Sequence, residues 1–250
     1  MKFKPFVRPI ATLALAGLLA ACGSDKSNTA SGSNATPSVA QLNGTFVFSA
    51  NGSDPADGSY FVAGSFTADG KGGLTGIEDL NLGSGVDSSV PFTGTYQVDS
   101  AGTVAVTVSD GTGVPTFFTF PVPSGSGATK VSYDGTGTGT VQAQSTSGFS
   151  NVGTFAFTLN GQGEGTVTGS GSFTTNAAGS FTAGTENFSD GPFARNTSAL
   201  TGTLSPVFNG GRGTAVIGTE LFSYYAVSQN QIVLAGLEDT TLIYGTATKQ

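Results

Sequence analysis

Two glutamates, Glu78 and Glu186, combine a chemically useful group with an apolar setting. In an extended strand Glu78 shares its face with Leu74, Gly76 and Leu80, and Glu186 shares its face with Gly184 and Phe188. A carboxylate on an apolar face is costly unless it is hydrogen-bonded, and such groups concentrate at functional sites. The chemistry expected of them is binding: an inward carboxylate at the mouth of a lumen, holding a polar group of a ligand. The plainer alternative is a glutamate near a strand end, exposed or bonded to neighbouring threonines. Tyr96, Phe118 and Tyr225 offer aromatic surface for the same ligand. The clusters Phe117, Phe118, Phe120 and Phe222, Tyr224, Tyr225 must face both ways from a strand, so core packing and a contact between domains compete with that reading. Asp54 and Asp57 beside Gly58 present oxygen ligands of the kind calcium accepts, without the EF-hand spacing and in a place where aspartates are ordinary turn residues. No other metal site and no cofactor is expected.

Other chemistry is excluded by composition. The chain has no histidine and one cysteine, which removes Ser-His-Asp and Cys-His sites and makes a zinc centre a poor expectation. Glu78-Asp79 and Glu238-Asp239 cannot flank one glycosidic bond, because adjacent strand residues point to opposite faces. Gly64 to Lys71 misses the phosphate-loop spacing, and Gly72 follows the lysine where Ser or Thr is required.

The elements that must position these residues are short strands. The chain has 250 residues, 39 of them glycine and 19 phenylalanine, and only 10% are charged, which is poor helix and good strand-and-turn composition. It is also written twice. Gly44-Thr45-Phe46-Val47-Phe48 returns as Gly153-Thr154-Phe155-Ala156-Phe157, Gly64-Ser65-Phe66-Thr67 as Gly171-Ser172-Phe173-Thr174, and Glu78-Asp79-Leu80 as Glu186-Asn187-Phe188. Two homologous all-β domains are expected, 42–144 and 149–250. In the first, strands are expected near 45–50, 59–67, 73–81, 90–98, 103–109, 115–121, 129–134 and 138–144. Turn pairs such as Asp69-Gly70 and Asp110-Gly111 separate them. Alternation such as Val104, Val106, Val108 gives one buried and one wet face. Eight such strands fit an up-and-down antiparallel barrel in each domain, with a two-sheet β-sandwich as the alternative. The plan is similar to that of lipocalin- or avidin-type barrels, though no motif of either family is present.

Residues 1–21 read as an address. Lys2, Lys4 and Arg8 precede an apolar run from Ile10 to Ala21, the secretory pattern. Leu19-Ala20-Ala21-Cys22 resembles the lipobox of bacterial lipoproteins. That resemblance implies cleavage after Ala21, lipidation of Cys22, and a lipid-anchored place in the bacterial cell envelope, at the outer membrane or cell surface since Gly23 follows the cysteine. Residues 22–41 then serve as the lipidated cysteine and a flexible tether rich in Ser, Asn, Thr and Gly. Losing Lys2, Lys4 and Arg8 leaves six basic residues against sixteen acidic ones, so nucleic acid is not expected as a partner.

The leading expectation is therefore a lipid-anchored, non-enzymatic surface protein of structural or adhesive type, with the membrane and another protein as partners. The alternative is a small-ligand-binding barrel with an apolar ligand in its lumen. A carboxylate-based hydrolase comes third.

Overall fold

The computed structural model describes residues 37–250 apart from 56–57, 83–84, 112 and 114. Cys22 and Asp57 lie outside the described residues. The chain is all-β and forms two tandem antiparallel units. In the first, β1 (Asn43–Asp54), β2 (Gly58–Asp69), β3 (Gly73–Asn81), β4 (Val86–Val98), β5 (Thr103–Ser109), β6 (Thr116–Pro121), β7 (Thr129–Tyr133) and β8 (Gly137–Ala143) follow one another around a closed barrel. Closure comes from β1, which pairs β2 on one side and β8 on the other.

The second unit departs from the expected eight-stranded barrel. It has nine strands: β9 (Gly153–Gln162), β10 (Thr166–Thr175), β11 (Phe181–Asp190), β12 (Phe193–Thr197), β13 (Gly202–Leu204), β14 (Arg212–Ile217), β15 (Glu220–Ser228), β16 (Gln231–Gly236) and β17 (Leu242–Lys249). They form one sheet in the order β12-β11-β10-β9-β17-β16-β15-β14-β13, which curls without a continuous closing ladder. Strand β13 is three residues long, too short to zip onto β11; a single bridge, Ser180 to Thr203, links them, helped by Leu204 N–H donating to Gly179 O at 2.8 Å.

The repeat is visible in the register. Phe48, Gly64 and Glu78 form one cross-strand row in the first unit, and Phe157, Gly171 and Glu186 form its counterpart in the second. The glycine is required in both, because the phenylalanine ring lies over it: a Cβ on Gly64 would stand 2.5 Å from the Phe48 ring, and one on Gly171 2.9 Å from the Phe157 ring. Phe46 stacks on Phe66 at 5.2 Å and 22°, and Phe155 stacks on Phe173 at 5.4 Å and 22°. The hairpin that follows is set by one side chain in each unit. Asp69 Oδ1 accepts from the N–H groups of Lys71 and Gly73, and Asn176 Oδ1 from those of Ala178 and Ser180, the local bonding that makes Asx residues good turn formers.

The lumen of the first barrel is filled. Phe48, Phe66, Phe92, Phe118, Phe120, Tyr96 and Tyr133 are all buried there, and Phe118 stacks on Phe48 at 5.6 Å and on Tyr133 at 6.1 Å. These seven rings stand where the sequence reading placed an apolar ligand in the first unit.

A third cluster joins the units. Val47, Phe61 and Ala63 on the outer face of β1 and β2 pack against Tyr225, Val227, Val233, Ala235 and Leu242, and Phe61 stacks on Tyr244 at 4.4 Å. Within this contact Asp79, 1% exposed, accepts from Arg212 Nε at 2.8 Å and Nη2 at 2.7 Å, and from the Tyr225 hydroxyl at 2.6 Å. Strand β4 carries an extra residue between Asp87 and Val90, and this bulge brings Ser88 Oγ and Ser89 N–H onto the same carboxylate, both at 2.9 Å. Burial pushes the Asp79 carboxyl up, but the bonds from Arg212, Tyr225 and Ser89 outweigh it and hold the group below its ordinary 3.8. The charge-assisted contribution is thus complete above about pH 4 and drains away as the pH falls below the unfolded value. Arg212→Ala strands a buried carboxylate and is expected to cost about 3–5 kcal/mol at pH 7. Asp79→Asn with Arg212→Met is expected to recover part of that loss and to flatten the acid limb. Urea unfolding at pH 7 and at about pH 2.5 measures both.

Candidate functional site

The sequence-derived site residues are dispersed by the fold. Tyr96 and Phe118 lie in the core of the first barrel, where the Tyr96 hydroxyl donates to Leu42 O at 2.7 Å and Val39 O at 3.1 Å, tying the segment before β1 across that end of the barrel. Tyr225 is fully buried between the units, on Asp79. Glu78 is buried at 7% in the first unit, and Glu186 at 1% in the second. Asp54 ends β1, and no group of three His, Cys, Asp or Glu is placed to hold a metal among the described residues.

Glu186 has a partner that the sequence reading missed. Arg195 Nε donates to its Oε2 at 2.6 Å and Arg195 Nη2 to its Oε1 at 3.3 Å, while Nη1 reaches Glu220 Oε1 at 3.0 Å and Thr219 Oγ1 at 3.1 Å. The guanidinium also lies 4.1 Å from the centre of the Phe188 ring. Burial works against the Arg195 charge, but its bonds to Glu186 and Glu220 win and hold it more firmly ionised than usual. The signal was available in principle: the tight turn at Gly191-Pro192 sets Arg195 opposite Phe188, one diagonal step from Glu186. This clasp fastens β12 to β11 and to the β14–β15 turn, on the side where the sheet lacks a closing ladder.

On the other face of the same strands runs a groove of about 570 Å³. Its lining is three successive cross-strand rows. The middle row, Leu159, Gly169, Phe188 and Arg195, alternates with the outward rows and forms the floor of the groove. The flanking rows point outward and form the walls: Thr158, Ser170, Asn187 and Asn196 on one side, Asn160, Thr168, Ser189 and Ala194 on the other. The side chains of Asn160, Asn187 and Asn196 make no hydrogen bond to another described residue. Neighbouring hydroxyls do pair, elsewhere on the surface as Thr154 with Thr174 at 2.9 Å and Thr45 with Thr67 at 3.2 Å, and on this face as Thr158 with Thr246 at 3.5 Å.

The groove continues past β9. A second depression, about 210 Å³, shares Thr158 and Asn160 with the first, crosses β17 at Gly245, and enters the crevice between the units against Tyr244, Phe61, Asn51 and Thr140. Together the two bring residues of both units to one channel, joined at Thr158 and Asn160, in which amides and hydroxyls are set among a larger area of carbon. The volume of the larger part lies in the usual range for ligand sites.

No family model matches the sequence, and no curated protein does. Among solved structures, the chain is similar to a protein assigned as AttH from Nitrosomonas europaea, at 8% identity and TM-score 0.31, covering 83% of this chain and 92% of that one. It is similar also to kievitone hydratase from Nectria haematococca, at 10% identity and TM-score 0.26, covering 89% and 96%. A third is CghA, with Sch210972 bound, at 10% identity and TM-score 0.31, covering 82% and 87%. These likenesses concern the β architecture alone. One of these neighbours is named as a hydratase, and the expectation of a non-enzymatic structural or adhesive protein is not kept. The channel removes the ground for that expectation, the lack of any marked site.

Arg195→Ala leaves Glu186 buried without its ion pair and releases β12. Hydrogen exchange of the backbone amides at 193–197 is expected to speed up by at least tenfold, while exchange across β1–β8 stays as in the parent. Glu186→Gln in the Arg195→Ala background is expected to restore part of the protection.

Proposed function

We propose that this protein is a ligand-binding β module whose site is the uncharged channel on the outer face of the second unit and the crevice beside it. The observation that carries the reading is that the two depressions share Thr158 and Asn160, with the outward amides of Asn160, Asn187 and Asn196 bonded to no neighbouring side chain. A buried polar group must find a hydrogen bond, so a ligand covering these walls is selected by the pattern of donors and acceptors it meets. The filled lumen of the first barrel moves the site from the interior, where the sequence reading placed an apolar ligand, to the surface.

Attachment to the cell envelope through Cys22 accords with this role. A tethered binding module held near a membrane keeps its ligand near that surface, and the lipobox-like Leu19–Cys22 segment supports such a placement.

Native mass spectrometry of the protein after incubation with a cell extract tests the site. The parent is expected to carry extra mass that is lost on denaturation. Ser170→Tyr, which places a ring between the two rows of the wall on a strand that tolerates aromatics, is expected to lose that mass with an unchanged unfolding midpoint. Equal retention by the parent and Ser170→Tyr would overturn the site.

A further inference from the structure

The geometry points to a neutral, hydroxyl-rich chain, a short oligosaccharide, as the ligand of the channel; this rests on the reading of the channel as a binding site and names what fills it. Four features of the walls select that class.

The first is charge. Arg195 is the one ionisable side chain among the residues that line either depression besides the Tyr244 phenol, and its guanidinium lies on the opposite face, clasped by Glu186 and Glu220. No cation faces the channel from the lining to receive a phosphate or a uronate, and the chain as a whole carries a formal charge of −7, which repels anions.

The second is polarity. Alcohols and amides make up the walls over β9 to β12, with Ala194 the single aliphatic side chain that points into them. An apolar ligand would strip water from Asn160, Asn187 and Asn196 and return nothing. Each Asn amide offers a donor and an acceptor side by side, which suits neighbouring hydroxyls that also donate and accept.

The third is the position on the sheet. The channel crosses the face, where the backbone N–H and C=O groups of β10 and β11 are already used in their ladders on both sides. A peptide strand is held chiefly by main-chain bonds along a free sheet edge, and the channel crosses the strands rather than running along β12, the edge strand at its end. Recognition must come from side chains, as it does for sugars. The channel spans β12, β11, β10, β9 and β17, and neighbouring strands lie about 4.8 Å apart, so it takes an extended chain of roughly 19 Å rather than a single ring.

The fourth is the comparison between repeats. The row Ser49, Ala63, Asp79 of the first unit corresponds to Thr158, Ser170, Asn187 of the second. In the first unit that face is covered by the second unit, with Val47 and Phe61 beside it. In the second unit the same face is bare, Phe61 answers to Thr168, and Asp79 answers to Asn187, so the channel is the surface the repeat uses for contact, rebuilt with neutral polar groups.

Isothermal titration of the full protein with cellohexaose, maltohexaose and chitohexaose, with hexagalacturonate as the anionic probe and N-phenyl-1-naphthylamine as the apolar one, tests the class. At least one neutral hexaose is expected to bind. Asn160→Leu and Asn187→Leu are each expected to weaken it tenfold or more, Ser170→Tyr to abolish it, and Thr45→Val, outside the channel, to leave it unchanged. Failure of all three neutral sugars overturns the oligosaccharide. If hexagalacturonate or the naphthylamine then binds and Ser170→Tyr blocks it, the channel stands as a site with another ligand class; if Ser170→Tyr blocks nothing, the channel falls as well.

Discussion

The buried Asp79 carboxylate is the constraint around which the two units are arranged. Taking a charge out of water costs several kcal/mol, and it is tolerable only when the geometry around it is complete. Completing it draws on separate parts of the chain: a bulge in β4 for Ser88 and Ser89, the start of β14 for Arg212, and the middle of β15 for Tyr225. The apolar packing of Val47, Phe61 and Ala63 supplies affinity between the units, but it would allow sliding. The bidentate Arg212–Asp79 pair and the three carbonyls of Gly236, Glu238 and Thr241 gathered by Asn81 fix the position. The crevice end of the channel, where Phe61 and Asn51 meet Tyr244 and Thr140, exists only because that position is fixed.

Charge is used differently in the second unit. There Glu186, the counterpart of Glu78, is neutralised by Arg195, and the pair substitutes for hydrogen bonds that a short β13 cannot make. Binding of an extended ligand across β9 to β12 would hold those strands together on the outside while the clasp holds them on the inside.

Much of this was legible from residue order. The eight strands of the first unit fall where alternation and turn residues put them, because a strand with one wet face writes its period directly into the sequence. The repeated Phe, Gly and Glu positions predicted two related units, and the shared register of Phe48, Gly64, Glu78 with Phe157, Gly171, Glu186 is the structural form of that repetition. What could not be read were relations across long separations. Nothing local marks Arg212 as the partner of Asp79, or a three-residue β13 as the reason the second unit stays open. The opposite faces of consecutive aromatics were foreseeable, and Phe117, half exposed beside a buried Phe118, shows them. The channel was hidden for another reason: its walls are ordinary outward-facing Asn, Thr and Ser, which become a site only when sheet curvature and register line them up.

The replacement of Asp79 by Asn187 between the repeats has a consequence for assembly. A contact in which one unit offers its strand face to the flank of the next is heterologous, and if every unit offered the same face, chains would add head to tail without limit. The first unit spends its face on its own neighbour. The second has given up both the anchoring carboxylate and the apolar row beside it, Asn187 standing where Asp79 does and Thr168 where Phe61 does, so its face lacks what the first unit's contact is built from. A further contact of the same kind has no anchor on this face, and the polar residues that leave it open are the ones that withhold it.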